Sequence, residues 1–128
     1  MELSKWKRRR FTPTWGDNHE EPEPCVIVFS PPSVGWMARW REIVAGVPKT
    51  SEEDSFVDRL EVWAKDGETF RAEMFEDLIL GIENLTLDGK DVSRTDAVEF
   101  IQDNEGLREE VFLAIIAEGT LTKDEGKG

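Results

Sequence analysis

The chain has 128 residues, of which 38% are hydrophobic and 34% are charged, and its formal net charge is −12 at pH 7. This length and apolar content suit one small globular domain with its own core. The chain is too short for two domains that would each bury a sufficient core. The excess of negative charge argues against non-specific nucleic-acid binding over most of the surface, and no apolar run approaches the ~20 residues of a membrane span.

Residues 1–29 predict a small β-hairpin made of a basic strand, an acidic loop and an apolar strand. The basic strand is expected within residues 3–12, although its apolar residues alternate poorly. Residues 13–24 contain three prolines and three glutamates, which indicate a mobile loop. Residues 25–29 (CVIVF) are β-branched and aromatic, as is typical of a strand. An isolated hairpin is marginal in water, so this one is expected to lean on helices.

Residues 30–119 are expected to form a helical body, whose first helix starts at Pro31-Pro32. Proline is tolerated in the first turn of a helix, and this helix runs to about residue 45, just before Gly46. Trp36 and Trp40 are four residues apart and share one face of it. Exposed tryptophans concentrate binding energy, so this pair is either part of the core or an anchor for a partner.

Two further helices are predicted between residues 54 and 83. The first covers about 54–65, is capped by Ser51 with Asp54, and is ended or kinked by Asp66-Gly67. The second covers about 70–83 and carries the strongest apolar stripe at helical spacing. The first of these helices is expected to bury Phe56, Leu60 and Trp63, with Val57 beside them, and the second to bury Phe75, Leu78, Ile79 and Ile82.

The remaining residues predict a tight turn and two more helices. Asp88-Gly89 marks the turn, because glycine takes positive φ without steric cost. Ser93 or Thr95 caps a short helix that ends at residue 103, and the last helix covers about 107–118, with Gly119 as its C-cap. Residues 120–128 are expected to be a flexible tail. The expected fold is one domain over residues 1–119, mainly α (α+β), with four to five helices and a small N-terminal β-hairpin.

The basic residues at the N-terminus form a second group of candidate partner contacts: Lys7, Arg8, Arg9 and Arg10, together with Lys5. Interleaved aromatic residues could support phosphate contacts by stacking. Alternatively, these cations dock on an acidic protein surface, including that of another copy of the chain. A third alternative is that they protect an edge strand from unwanted pairing.

No combination of residues in the chain predicts catalysis, a metal site or a cofactor. His19 lacks a second nitrogen or thiolate ligand nearby, and Cys25, the only cysteine, lies in an apolar strand with no activating partner. Dinucleotide, Walker and nucleophile-elbow motifs are absent from the sequence. Carboxylates are too common for an acid/base pair to be recognised among them. Because a single cysteine allows no internal disulfide, the chain fits a reducing compartment, and we expect it to be cytoplasmic. Because no catalytic motif is recognisable, we expect a binding protein that is not an enzyme.

The order of these features resembles the tail assembly chaperones of long-tailed (siphovirus-like) phages and prophages, which are small, acidic, mainly helical proteins. The N-terminal part is similar in its basic strand with an aromatic-proline segment, residues 7–13, and in its apolar strand before a proline-initiated helix, residues 26–34. The second half is similar in residues 82–92 (IENLTLDGKDV), in the short helix that follows them, and in residues 104–107 (NEGL) before a closing helix.

The resemblance implies a chaperone that coats the long, hydrophobic, helical tape measure protein before tail tube subunits polymerise around it. The implied partners are therefore the tape measure protein and the tail tube protein, in the cytoplasm of a bacterial host. Self-association is expected, since a long client needs many copies. Trp36, Trp40 and Trp63 are the candidate apolar contacts, with Phe112 after them, while the acidic body would supply solubility.

Two other functions are compatible with the same sequence. A virion structural part, such as a head–tail connector or tail terminator, would form a closed ring of defined copy number. A small regulatory module would use the basic arm on DNA and would bind it in a salt-sensitive way. The overall acidity makes nucleic acid the least favoured partner.

Overall fold

Residues 8–49 and 55–125 are described in the computed structural model, the last five by their backbone alone. Residues 1–7, with Lys7 and Lys5, the predicted Ser51 cap, and residues 126–128 therefore lie outside the described part of the chain. The strands are β1 (Arg9–Phe11), β2 (Val26–Phe29), β3 (Ile79–Glu83), β4 (Thr86–Leu87) and β5 (Lys90–Asp91). The helices are α1 (Val34–Ala45), α2 (Phe56–Leu78), α3 (Arg94–Asp103) and α4 (Glu105–Glu125), with a short 3₁₀ turn at Asn18–Glu20.

The predicted N-terminal hairpin is present, and a third strand extends it. The sheet has the order β1-β2-β3, and both pairings are antiparallel. Ile27 of β2 faces Phe11 of β1 on one side and Ile82 of β3 on the other. The mainly α fold with four helices and a small N-terminal sheet is therefore confirmed, while the sheet is larger than the hairpin that the sequence predicts.

The prediction of a helix over 70–83 is wrong in its last five residues, which form β3. Ile79 and Ile82 are three residues apart, a spacing that fits a helix face and also fits a strand with a local irregularity. Their backbone pairs with β2 in the antiparallel sheet. The Ser30 N–H also donates to the Leu78 carbonyl at 2.9 Å, where the helix ends. The helix therefore passes into the strand without a loop, and both isoleucines stay buried.

The two helices predicted over 54–65 and 70–83 are one continuous helix, α2. Asp66-Gly67 neither ends nor kinks it, although an interior glycine costs about 1 kcal/mol relative to alanine. An apolar stripe crosses the glycine at helical spacing, from Trp63 on one side to Phe70 on the other. Packing along this stripe outweighs the local preference for a break.

Gly119 does not end the last helix, as the sequence predicts, but lies buried inside it. Helix α4 continues to Glu125, so the expected tail begins inside a helix. A Cβ atom at position 119 would lie 2.6 Å from Cγ of Pro32 and would clash with the Met37 sulfur. Glycine is therefore required here for the close approach of α1, and not for the end of a helix.

Two of the local predictions are confirmed by backbone geometry. Asp88 and Gly89 have φ of 53° and 80°, so the turn between β4 and β5 has positive φ at both central residues, as in a type I′ turn. Ser93 caps α3, since its side-chain oxygen accepts from the Asp96 N–H at 3.2 Å.

One core cluster joins the sheet to the helices, and it draws on β2, β3, the second half of α2, α3 and α4. Its fully enclosed members are Ile27, Phe29, Phe70, Met74, Phe75, Ile79, Ala97, Ile101, Leu107, Val111 and Ile115. Helix α1 lies outside this cluster and covers it through half-buried aromatic side chains. Among the described helices, none combines the length and the apolar character needed to cross a membrane.

The two helical glycines predict opposite effects of the same substitution. We expect Gly119→Ala to lower the free energy of unfolding by about 1–3 kcal/mol, because the new methyl group overpacks the contact with Pro32. Gly67→Ala meets no atom within 4 Å and should raise it by about 0.5–1 kcal/mol through helix propensity. Urea unfolding of both variants measures this, and destabilisation by Gly67→Ala would contradict a continuous α2.

Candidate functional site

Trp36 and Trp40, the predicted partner anchors on α1, lie in an aromatic cluster against α2 and α4. Trp40 stacks on Phe70 at a centroid distance of 6.0 Å and meets Phe112 edge-on at 5.2 Å. Trp36 meets Phe70 at 5.6 Å, and Phe112 in turn contacts Phe75. Edge-on and offset ring pairs of this kind stabilise beyond their buried area. The structure thus brings Trp36, Trp40 and Phe112 together.

Two of the three candidate tryptophans also donate hydrogen bonds within the chain. The Trp36 indole N–H donates to the Asp77 carboxylate at 2.7 Å, and the Trp63 indole N–H donates to the Ile43 carbonyl at 2.8 Å. The guanidinium of Arg39 lies 4.8 Å from the Trp36 ring centroid, a cation–π distance. Each tryptophan is half-buried and fastens α1 to α2. Their role as partner contacts stays a prediction.

The described part of the basic arm is used in ion pairs within the chain. Arg9 Nε donates to Glu118 at 2.9 Å, and Arg10 Nη1 donates to Glu83 at 2.7 Å. Arg8 is exposed just before β1. The pairs tie the edge strand to α4 and β3, an arrangement expected of a charged edge strand. Contacts of this arm with a partner or with DNA stay predictions.

Helix α1 runs antiparallel to α2 and covers only part of it. Successive contacts along α1 move backwards along α2: Trp36 contacts Asp77, Arg39 pairs with Glu73 at 2.9 Å, and Ile43 accepts from Trp63. The described ring contacts from α4 reach α2 only at Phe70 and Phe75. The first 14 residues of α2, about 20 Å of helix, thus extend from the core beside the end of α1.

This projecting end of the α1–α2 hairpin exposes several aliphatic side chains. All four buried residues of α2 lie between Phe70 and Leu78, so none comes from its first 14 residues. Val57 and Val62 are each 60% exposed, and Leu60 is 37% exposed. We define the hairpin tip as five exposed aliphatic side chains: Val44, Val47, Val57, Leu60 and Val62. These are five of the ten large hydrophobic side chains exposed among the described residues.

The sequence did not distinguish the hairpin tip from a core stripe. Leu60 was expected to be buried with Phe56 and Trp63, but only the last two are even half-buried. The expectation fails because no described element packs on that side of the projecting helix. Val57 was also expected beside the buried side chains, because it is three residues from Leu60 and shares a helix face with it, yet it is 60% exposed. Val62 lies on another side of α2, where its neighbours one turn away are charged.

A shallow groove between α2 and α4 lies about two turns beyond Trp63. It has a volume of about 230 Å³ and is lined by Arg71, Glu109, Phe112 and Leu113. Burial lowers the pKa of Arg71, nearby Arg108 lowers it further, and Glu68 and Glu109 partly offset this. The groove therefore offers both apolar and charged atoms between α2 and α4.

The site geometry suits the binding of apolar protein surface. Exposed aliphatic groups gathered on one projecting element mark interaction surfaces in soluble proteins. Within the described ranges, no three His, Cys, Asp or Glu side chains are grouped closely enough to hold a metal ion.

Comparison of the chain with protein-family models, with curated proteins and with solved structures found no match.

Core and tip substitutions should separate stability from surface function. Trp40→Ala removes two ring contacts and should lower the free energy of unfolding by about 3 kcal/mol. Val62→Ser should change it by no more than about 0.5 kcal/mol, because this side chain is mostly exposed and the two residues have similar helix propensity. Guanidinium unfolding measures both. A loss at Val62 as large as that at Trp40 would show that the tip is covered in solution.

Proposed function

We propose that this chain is a tail assembly chaperone of a long-tailed phage or prophage. It binds the tape measure protein in the cytoplasm of the bacterial host and keeps this client soluble until tail tube protein assembles around it. The hairpin tip is the surface that holds apolar helices of the client. The resemblance in sequence order and the geometry of the tip support this proposal from two independent directions.

The observation that carries the proposal is the division of α2 into two halves. Its second half is enclosed in the core, whereas its first 14 residues bury no side chain and expose Val57, Leu60 and Val62. Aliphatic surface that stays in water contributes none of the favourable free energy that burial in the core would give. A surface of this kind is retained when a partner covers it.

The tip suits a helical client, because Val57 and Leu60 are three residues apart and share one face of α2, along which an amphipathic helix can lay its apolar face. The projecting segment spans about four turns, long enough to meet several turns of a client helix. Charged residues surround the aliphatic ones, so the tip stays hydrated while it is empty. These residues are Asp58, Arg59, Glu61, Lys65, Asp66 and Glu68.

The area available predicts weak binding by each copy. Full burial of a valine or leucine side chain contributes about 1.5–3 kcal/mol, and the tip side chains are already partly covered, which leaves about 1 kcal/mol each. The five together then offer about 5 kcal/mol, close to the lower limit of the cost of association, about 4 kcal/mol. Tight coating of a long client therefore requires many copies, and tube subunits can displace each one.

The charge of the chain completes this mechanism. A net charge of −12 on each copy makes a coated client strongly anionic, and like charge opposes aggregation of one coated filament with another.

Substitution of the tip should remove chaperone activity without unfolding the protein. Val57→Ser combined with Val62→Ser should reduce the soluble yield of a co-expressed tape measure protein and its recovery in a pull-down by at least about tenfold, since each lost contact is worth about 1 kcal/mol and many copies bind. The measurement is the client in the soluble fraction and in the eluate.

The matched control is Val34→Ser combined with Leu87→Ser. These aliphatic side chains are 83% and 60% exposed and lie outside the tip, on α1 and β4. This control should behave as wild type. Equal loss in both pairs would show a general effect of surface hydrophobicity, and full activity of the tip pair would refute the tip as the client site. Failure of the unsubstituted chain to hold the client would refute the chaperone itself.

A further inference from the structure

Residues 13–24, predicted as a mobile loop, are fastened across the ends of α3 and α4, and we call them the strap. The Thr14 N–H and hydroxyl both donate to the Glu110 carboxylate, at 2.7 and 2.6 Å. The Trp15 ring meets Phe100 edge-on at a centroid distance of 5.7 Å. A Cβ atom at Gly106 would lie 3.2 Å from the same indole, so the ring rests closely on the start of α4.

One side chain holds the two ends of the strap together. Asn18 donates from Nδ2 to the Pro13 carbonyl at 2.8 Å and to the Cys25 carbonyl at 3.1 Å, and its Oδ1 accepts from the Cys25 N–H at 2.8 Å. A loop closed by three such bonds has a defined shape. Its inner surface is therefore available as a preformed wall.

Between the strap and the core lies a half-open cleft with a volume of about 330 Å³. This volume is near the lower limit for small-ligand sites and fits one long side chain or a compact molecule. The floor is apolar and comes from four elements or their connections: Ile27, Ile82, Leu85, Phe100 and Leu107.

The rim of the cleft is acidic. Asp17, Glu21 and Glu23 line it, and none of the described lining residues is a lysine or an arginine. Burial raises the pKa of the Cys25 thiol, and the negative charge of Glu21 raises it further, so the charge of this rim residue reaches the thiol. The acidic groups do not form a metal site, since no three potential ligands among the described residues are grouped closely enough.

We propose that this cleft binds a lysine or arginine side chain presented by an extended segment of a partner protein. The aliphatic stem of such a side chain would lie on the apolar floor while its charged end reaches the rim carboxylates. Trp15 is 37% exposed, so part of its ring is available to a cation. The side chain and the cleft are complementary in polarity and charge. This site is separate from the hairpin tip and does not depend on the proposed chaperone function.

The first test is a titration of the full chain with two matched peptides. The acetylated and amidated pentapeptide Gly-Gly-Lys-Gly-Gly carries the stem and the charge, and the same peptide with norleucine in place of lysine carries the stem alone. Shifts of the Trp15 indole N–H in NMR spectra measure binding. The lysine peptide should bind about tenfold more tightly than the norleucine peptide at low salt, and its binding should weaken with added salt. Equal binding of the two peptides would overturn the proposal.

The second test changes the rim. Glu21→Gln with Glu23→Gln preserves shape, removes two charges, and should reduce lysine-peptide affinity by about tenfold. The control, Glu20→Gln with Asp88→Asn, removes the same charge from exposed sites outside the cleft and should bind as the original chain does. Retained affinity in the rim variant would refute the assignment. An equal loss in both variants would also refute it, because the attraction would then come from net charge alone.

Cys25 supplies an independent readout at the cleft. It is the only cysteine in the chain, so alkylation reports this position alone. Glu21→Gln should lower the pKa of the thiol, raise the thiolate fraction at pH 8 and speed alkylation, whereas Glu20→Gln should not. Saturating lysine peptide should slow alkylation in the original chain, and an unchanged rate would place the peptide elsewhere. Butylamine tests the need for a peptide: if it binds as tightly as the lysine peptide, the partner-segment assignment is overturned.

Discussion

β2 pairs with β3, and this pairing positions most of the protein. Ile27 and Ile82 face each other across it, and β2 also holds β1 on its other side. Helix α2 passes into β3 at Leu78 without a loop, so the same pairing fixes where the second half of α2 lies. Phe70, Met74 and Phe75 are thereby placed over the core, where α3 and α4 enclose them.

Anchoring α2 at one end has a consequence for its other end. The junction with β3 sets the position and direction of a helix of 23 residues, and the rest of the body is too short to cover it. Helix α1 packs along only part of α2. Trp63 of α2 donates to Ile43 of α1, and Trp36 of α1 contacts Phe70 of α2. What remains is an aliphatic surface on a rigid, projecting element. The core does not cover this surface, so it is available to the apolar client that we propose.

Charge divides the surface of the molecule into regions of different chemistry. In β1, Arg9 pairs with Glu118 and Arg10 pairs with Glu83, so both arginines of this strand form ion pairs within the chain. At the hairpin tip, charges of both signs surround aliphatic side chains. At the cleft under the strap, the charges are all negative over an apolar floor. The apolar client and the cationic segment that we propose as partners would therefore occupy different sites.

Local signals in the sequence were sufficient for β2, for α1 apart from its start, for the Asp88-Gly89 turn and for the Ser93 cap, because each depends on the residues within one element. Helix α1 begins at Val34 with Ser33 as its N-cap, so the two prolines expected in its first turn precede the helix. Local signals failed at Gly67, at Gly119 and at Ile79–Glu83. In all three places the outcome depends on contacts outside the local sequence. At Gly67 the apolar stripe continues across the glycine, and at Gly119 the close approach of α1 leaves no room for a Cβ atom. At Ile79–Glu83 the backbone pairs with the edge of β2. Exposure of the tip has the same origin. Valine and leucine at helical spacing specify an apolar face, but whether that face is covered depends on how far the neighbouring helices extend.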